Sequence, residues 1–214
     1  QQELEELVTL FRELHIDEYM WDWEGKYVDE AVGEKLLSRA HDLFTKRPLG
    51  EDIHLTYRIP AYEDGKLRKY ARAFMNVLSL KDLANDVGCP HPLVSEMFLP
   101  LCTSAKQPLS VVQTFDEVAA FHSRLFHDKK ALKYADWMHV TPLVEDVDSL
   151  LGIRKILAPY WKSLQKTKRI DAKRGLRVFI ARSDPAMNAS LIPAVLAAKV
   201  ALAESASLGE EMGV

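Results

Sequence analysis

The stretch WMHVTPLVEDVDSLLGIRKILAPYWKSL, residues 137–164, contains the unit that decides the fold. A short, mostly apolar run at 137–141 is followed by an acidic turn and then by a helical pattern at 147–164. Apolar residues three and four positions apart mark one face of a helix, whereas a short apolar run with polar flanks is typical of a buried strand. The stretch therefore predicts one β-strand followed by one α-helix.

The same unit recurs on both sides of this stretch. Counting 137–141, the predicted strands are 18–21, 53–57, 93–99, 137–141 and 176–181. The predicted helices that follow them are 29–45, 67–84, 109–127, 147–164 and 188–205, with 110–114 locally extended. A further helix-like segment, 1–14, comes before the first strand. The chain therefore reads as an N-terminal helix followed by five βα units.

Five consecutive βα units predict an α/β fold with parallel strands, because each crossover helix returns the chain to the same end of the sheet. A doubly wound open sheet and a (β/α)₈ barrel both satisfy this pattern. A dinucleotide-binding open sheet usually carries a glycine-rich first turn, but the first turn here, 22–26, has one glycine and two acids. The sequence therefore favours an incomplete (β/α)₈ TIM-type barrel, with residues 1–214 as one partial domain, because a closed barrel has eight strands.

Charge and composition argue against a nucleic-acid-binding, a disulfide-rich or a membrane-spanning protein. The 214 residues include 28 Lys and Arg against 31 Asp and Glu, giving a net charge of −3 and a pI of about 6.2. Nucleic-acid binding needs a clustered basic face, and the one basic concentration, at 162–174, suits a solvated helix end and loop. Two cysteines do not make a disulfide framework, which predicts a reducing, cytoplasmic location. Without a signal peptide or an apolar run of about 18 residues, we expect no membrane span.

Polar side chains follow every predicted strand, at the end where a parallel barrel places its chemistry. In chain order they are Asp22, Glu24 and Lys26; Arg58; Thr103, Ser104 and Lys106; Glu145 and Asp146; and Arg182, Ser183 and Asp184. Carboxylate oxygens are the ligands Mg²⁺ prefers, so Glu145 and Asp184, on adjacent strand ends, could share one ion. The forked donors of Arg58 and Arg182 suit phosphate or carboxylate.

Each candidate also has a structural explanation. Asp184 precedes a proline and a helix start, so it could cap that helix. Glu145 could be a helix-start acid favoured by the helix dipole, and Arg58 could form a surface ion pair. Arg182 could pair with Asp22 or Glu24, while Thr103 and Ser104 could cap the next helix. These alternatives stay open on the sequence alone.

Four segments resemble archaeal-type phosphoenolpyruvate carboxylase. They are WDWEGK at 21–26, LTYRIP at 55–60, PLVED at 142–146 and ARSDPAMN at 181–188, of which ARSDPA is the most specific. The resemblance runs in order through essentially all 214 residues. It implies an enzyme that adds bicarbonate to phosphoenolpyruvate, through carboxyphosphate and an enolate, to give oxaloacetate and phosphate.

The resemblance also implies roles for individual residues. Glu145 and Asp184 would bind Mg²⁺ or Mn²⁺, Arg58 and Arg182 would be catalytic, and Asp22, Glu24 and Arg58 would bind substrate, with Lys26 a less specific member. The family further implies a cytoplasmic homo-oligomer, a tetramer, that binds phosphoenolpyruvate and bicarbonate. Two rival functions remain: another Mg²⁺-dependent phosphoenolpyruvate or pyruvate barrel lyase or aldolase, and a non-catalytic barrel fragment.

The sequence departs from the family pattern at several points. Met187 stands where other branches of the family have a lysine, and Ser190 stands where a glycine is usual. The family's catalytic histidine would lie before Gln1, and its glycine-rich loop after Val214. We therefore expect these 214 residues to be incomplete, and inactive by themselves.

Overall fold

The computed structural model describes residues 2–23, 31–48, 51–63, 68–89, 92–127, 138–170 and 175–213. Helices and strands alternate along these residues, which confirms the α/β class. The elements in chain order are α1 (Gln2–Arg12), β1 (Glu18–Asp22), α2 (Val32–Arg39), α3 (His41–Phe44), β2 (His54–Arg58), α4 (Arg68–Asp86), β3 (Val94–Leu99), α5 (Lys106–Phe126), β4 (His139–Val144), α6 (Val147–Leu151), α7 (Ile153–Lys166), β5 (Phe179–Ile180), α8 (Ser183–Ala189) and α9 (Leu191–Met212).

The five strands form one sheet in the order β1-β2-β3-β4-β5. β1 and β2 pair in parallel from Glu18 opposite His54 to Asp22 opposite Arg58. β4 and β5 also pair in parallel, with Val144 opposite Ile180. A doubly wound sheet reverses its strand order at a switch point, and no such reversal occurs among the five described strands. The observed order is therefore the one that successive units of a parallel barrel would have.

The three central strands, β2, β3 and β4, are largely buried, as expected for a parallel sheet covered on both faces, whereas β1 has one buried residue and β5 has none. In β3 and β4, five of the six residues are buried. Tyr160 of α7 donates a hydrogen bond to the carbonyl of Val140 in β4 at 2.6 Å, which ties that helix to its strand. The predicted strand at 176–181 pairs over Phe179–Ile180 alone, although Leu176 and Val178 still pack on the core beside it.

Each of three predicted helices is two helices in the structure, with a break at one residue. The breaks are at Ala40, Gly152 and Ser190, where the backbone leaves the helical region; at Ser190 φ is +70°. The expected extended segment at 110–114 is wrong, because α5 is continuous from Lys106 to Phe126. Val111 and Val112 are buried there, so packing outweighs the low helix propensity of valine.

The described residues divide into two compact units. The first comprises 1–60, 68–97 and 115–139, and the second comprises 61–67, 98–114 and 140–214. In the first unit, α2 contacts both α1 and α4. Phe74 of α4 meets the ring of Phe115 edge to face, with centroids 5.1 Å apart. The assignment of the whole chain to one domain stays a prediction.

In the second unit, α9 packs on α6, α7, α8 and β5. Ala197, Ala201 and Leu208 of this helix lie in a core cluster with Val144 and Leu150. Other apolar side chains of α9 are exposed, and they are Leu191, Ile192, Leu196, Val200 and Leu202.

α9 is long and apolar enough to cross a membrane, judged by length and composition, and it is the one such helix among the described residues. The expectation from the sequence concerned an apolar run of about 18 residues, and Lys199 and Glu204 interrupt the apolar residues of this helix.

Candidate active site at the strand ends

Glu145 follows the last residue of β4, and its side chain is almost fully buried, at 7% exposure. Its Oε2 accepts a hydrogen bond from the backbone N–H of Leu101 at 2.8 Å. The neighbouring Asp146 is the N-cap of α6 and accepts from the N–H of Ser149 at 2.8 Å. Because Asp146 performs the capping, the structure assigns that helix-start role to Asp146 rather than to Glu145.

Asp184 lies at the end of the neighbouring strand. The N–H of Ala181 donates to the carbonyl of Val144 at 3.0 Å, so β5 stays in register with β4 up to the residue opposite Glu145. Asp184 follows three residues later, exposed, in the first turn of α8. The N-cap of that helix is Arg182, and no side chain caps it. The capping explanation for Asp184 is therefore wrong, although an acid in the first turn still complements the helix dipole.

The chemistry of these two donors fits a hard divalent cation. Mg²⁺ commonly takes one or two protein carboxylates and completes its shell with water and substrate oxygens. The described residues contain no cluster of three or more His, Cys, Asp or Glu side chains that could hold a metal.

Arg58 and Asp22 are the last residues of β2 and β1 and are paired across the two strands. Nε of Arg58 donates to Oδ1 of Asp22 at 3.1 Å, and Nη2 donates to Oδ2 at 2.6 Å. Both side chains are about a quarter exposed, at 28% and 26%. A two-point fork of this kind fixes the plane of the guanidinium. The ion pair anticipated for Arg58 is therefore present, and it joins two of the predicted site residues.

The other residues predicted for the strand ends differ in their surroundings. Glu24 and Lys26 lie outside the described residues. Arg182 and Ser183 are exposed at the start of α8.

Thr103 and Ser104 precede α5, which is where a residue that caps this helix would lie. Both backbone N–H groups, and the hydroxyl of Thr103, donate to Oε1 of Gln107, at 2.7, 3.0 and 3.3 Å. Gln107 is not among the residues predicted for the strand ends. The spacing Ser104-Ala105-Lys106-Gln107 is that of a capping box, in which a Gln side chain reaches back to the N–H at the helix start, and this signal could have identified it.

Cys102 lies inside the same loop and is fully buried. Burial raises the pKa of its thiol to about 12, while a hydrogen bond with the backbone of Ser104 lowers that pKa to a smaller extent. A thiol that stays protonated at neutral pH is a poor nucleophile. Cys102 is therefore a core residue of the second unit and not a candidate nucleophile.

Known proteins resemble this chain along its whole length. The family model described as phosphoenolpyruvate carboxylase matches residues 1–214. The phosphoenolpyruvate carboxylase of Metallosphaera sedula is 36% identical over 222 residues, covering 99% of this chain and 42% of the relative. That of Caldivirga maquilingensis is 38% identical, covering 92% of this chain and 39% of the relative.

A third relative is the phosphoenolpyruvate carboxylase of Leuconostoc mesenteroides, 34% identical over 95% of this chain and 40% of its own length. The chain thus spans about two fifths of the length of these relatives. The resemblance seen in the four segments is confirmed by a match over all 214 residues. This chain belongs to the phosphoenolpyruvate carboxylase family.

Proposed function

We propose that this chain is part of a phosphoenolpyruvate carboxylase, a lyase that joins bicarbonate to phosphoenolpyruvate. In that reaction the phosphoryl group passes from the enol oxygen to a bicarbonate oxygen. The methylene carbon then bonds to the carboxyl carbon, and oxaloacetate and inorganic phosphate are released. The observation that carries this proposal is the family match over residues 1–214. The positions of Glu145 and Asp184 at adjacent strand ends support it.

The fold that we propose for these residues is the incomplete (β/α)₈ barrel. Its support is the sequential strand order, with parallel pairing at both ends of the sheet. In such a barrel, catalytic side chains come from the carboxyl ends of several strands. Asp22 and Arg58 are the last residues of β1 and β2, and Glu145 and Asp184 follow the carboxyl ends of β4 and β5.

We propose Glu145 and Asp184 as the protein ligands of Mg²⁺ or Mn²⁺. Such an ion, when bound, supplies a Lewis acid that stabilises negative charge developing on substrate oxygens. Glu145 would contribute from a buried position, with one carboxylate oxygen already held by the N–H of Leu101. Asp184 would contribute from an exposed position, where water and substrate have access.

We propose that Arg58 binds phosphate oxygens of the substrate, with Arg182 as a second anion-binding group. A guanidinium presents five N–H donors in a rigid plane that matches phosphate geometry. Asp22 contacts the Nε and Nη2 groups of Arg58 and so determines the orientation of that plane. In this proposal Asp22 acts on substrate through Arg58, and Arg58→Lys would lose the fork although it keeps the charge. Cytoplasmic location and a homotetramer, which the family implies, are part of the proposal.

A bicarbonate-dependence assay tests the reaction. Phosphate release from phosphoenolpyruvate is measured in the full-length protein that contains this chain, with and without bicarbonate. We expect release only when bicarbonate and Mg²⁺ or Mn²⁺ are both present, with oxaloacetate formed in equal amount. Release that does not need bicarbonate, or none under any condition, would contradict a carboxylase and favour another lyase or a non-catalytic protein.

Asp184→Ala tests the metal site in the same protein. Loss of one of two protein ligands should lower turnover and weaken Mn²⁺ binding, each by at least about a hundredfold, because even indirect supports of a metal site cost 10 to 100-fold. Asp148→Ala is the matched control, because Asp148 is an exposed acid near Glu145 in the first turn of α6. Circular dichroism should show both variants folded. Near-normal Mn²⁺ affinity in Asp184→Ala would remove Asp184 from the site.

A further inference from the structure

The loop between β3 and α5 has a partner for each of four successive backbone amides. Leu101 N–H donates to Glu145, Cys102 N–H to the carbonyl of Leu143 at 3.0 Å, and the amides of Thr103 and Ser104 to the side chain of Gln107. The four amides share three acceptors, on Glu145, Leu143 and Gln107. Together these hydrogen bonds restrict the backbone conformation of the loop. One of the four amides contacts the carboxylate proposed as a metal ligand.

The shape of this loop is unfavourable for the residue at its start. Leu101 has φ of +52°, in the left-handed region that an L-residue with a side chain rarely adopts. Its leucine side chain is also exposed rather than packed, at 56%. Local packing of Leu101 therefore does not explain the conformation, and contacts elsewhere in the loop must hold it.

Two sets of hydrogen bonds hold the loop after Leu101. Cys102 is buried, and its N–H donates to the carbonyl of Leu143 in β4. Further along the loop, a single oxygen of Gln107 accepts from Thr103 N–H, Thr103 hydroxyl and Ser104 N–H. Without that oxygen, the Thr103 and Ser104 amides lose their acceptor. Relaxation of Leu101 to negative φ would change the angle between the amides of Leu101 and Cys102, which donate to Glu145 and Leu143.

We propose that Gln107 is a positioning residue for Glu145, acting through the loop Leu101–Ser104. It holds Leu101 in the left-handed conformation, and the Leu101 amide in turn fixes one carboxylate oxygen of Glu145. This inference rests on the proposed role of Glu145 as a metal ligand. Its effect on function follows from the general rule that groups which orient a metal ligand also set metal affinity.

The first test measures the positioning itself and needs no metal. Hydrogen exchange of the Leu101 amide is followed by NMR in the folded chain and in Gln107→Met, which is nearly isosteric but lacks the acceptor oxygen. We expect exchange at least about tenfold faster in Gln107→Met, since the amide is released when the loop opens. Gln107→Glu keeps an acceptor oxygen and should retain slow exchange. Gln113→Ala, at an exposed position of α5, should also match the parent.

The second test measures metal affinity by Mn²⁺ titration. Gln107→Met should weaken Mn²⁺ binding by about 10 to 100-fold. Adding Leu101→Gly to Gln107→Met should restore most of the affinity, because glycine adopts positive φ without steric cost and the loop then needs less support. A purely structural role for Gln107 would not respond to this substitution, because Leu101→Gly adds no packing contact.

The outcomes separate this inference from the proposed function. Unchanged exchange of Leu101 in Gln107→Met, unchanged Mn²⁺ affinity, or no recovery with Leu101→Gly would each overturn the positioning role. Failure of the parent protein to bind Mn²⁺ would instead contradict the metal site. In that case the exchange rate of Leu101 still decides whether Gln107 holds the amide. If thermal unfolding shows that Gln107→Met is not folded, Gln107→Ala takes its place in both tests.

Discussion

Two carboxylates one residue apart in sequence have different surroundings in this protein. Asp146 bonds to the amide of Ser149 and begins a helix, while Glu145 is buried and bonds to the amide of Leu101 from another loop. The sequence shows both as acids at the end of an apolar run. The partner that distinguishes them comes from 44 residues away along the chain, so no local pattern could have identified it. Such distant backbone contacts limit how far a site can be derived from single residues.

Cys102 leads to a prediction at the scale of one residue. An ordinary thiol has a pKa of 9.0, and burial raises that of Cys102 to about 12. Between these values the unfolded chain releases the proton and the folded chain keeps it. The stability that this thiol contributes is therefore complete below pH 9 and is lost as the pH rises towards 12. The free energy of unfolding should fall by about 1.4 kcal/mol per pH unit in this range.

Urea unfolding between pH 8.5 and 10 measures this fall, with Cys102→Ala as the control. The variant keeps every other titrating group, so the difference between the two slopes belongs to Cys102. Equal slopes in the two proteins would show that the thiol ionises in the folded chain as readily as in the unfolded one.

At the scale of elements, the contact between α2 and α4 depends on the absence of one side chain. Gly33 of α2 is buried, and a Cβ built at that position would lie 2.5 Å from Cδ2 and 2.7 Å from Cδ1 of Leu80 in α4. Both distances are shorter than van der Waals contact. A Cβ at residue 33 would therefore require the end of the Leu80 side chain to shift.

Gly33→Ala should destabilise the protein by about 1–2 kcal/mol, because overpacking of a core outweighs the gain of up to about 1 kcal/mol in helix propensity. In a Leu80→Ala background the clash is absent, so the same substitution should become neutral or stabilising. A double-mutant cycle by urea unfolding measures this coupling. Additive effects would mean that Leu80 moves aside without cost.

Three predicted helices are each interrupted at one residue in the structure. The helices on both sides of Ala40 and of Gly152 bury apolar residues, so the apolar pattern continues across these breaks. The sequence pattern therefore predicted one helix where the structure has two. Gly152 offered a signal for a break, since glycine is disfavoured inside helices. Ser190 offered another, because it stands where the family usually has glycine, and its φ of +70° is a conformation usual for glycine.

At the scale of the whole molecule, strand number, strand order and parallel pairing agreed with the sequence analysis. The reason is physical: alternating βα units allow few connections, and each unit returns the chain to the same end of the sheet. The sequence also predicted which acids and arginines follow the strands. It could not predict the fork between Asp22 and Arg58, which depends on strand register, nor the loop that holds Glu145.

Two neighbouring residues of α9 have opposite exposure, and substitutions at these residues test whether the helix packs in a protein core or in a membrane. Ala201 is fully buried against the core cluster, and Leu202 is 60% exposed. Ala201→Leu should therefore destabilise the chain by about 1–3 kcal/mol through overpacking. Leu202→Ala should change stability by no more than about 0.5 kcal/mol, as expected for a surface position. Urea unfolding compares the two, and the reverse ranking would show that the exposed side is the one in contact with apolar surroundings.

The exposed leucines and isoleucine of α9 determine which optical probe can follow unfolding. A fluorescent dye that responds to hydrophobic surface should bind the native chain, so its signal would be high before any heating begins. Bright dye fluorescence would then be no sign of a molten globule. The indole rings give the better signal, because Trp21, Trp23 and Trp161 are buried in the folded chain and reach water only when it opens.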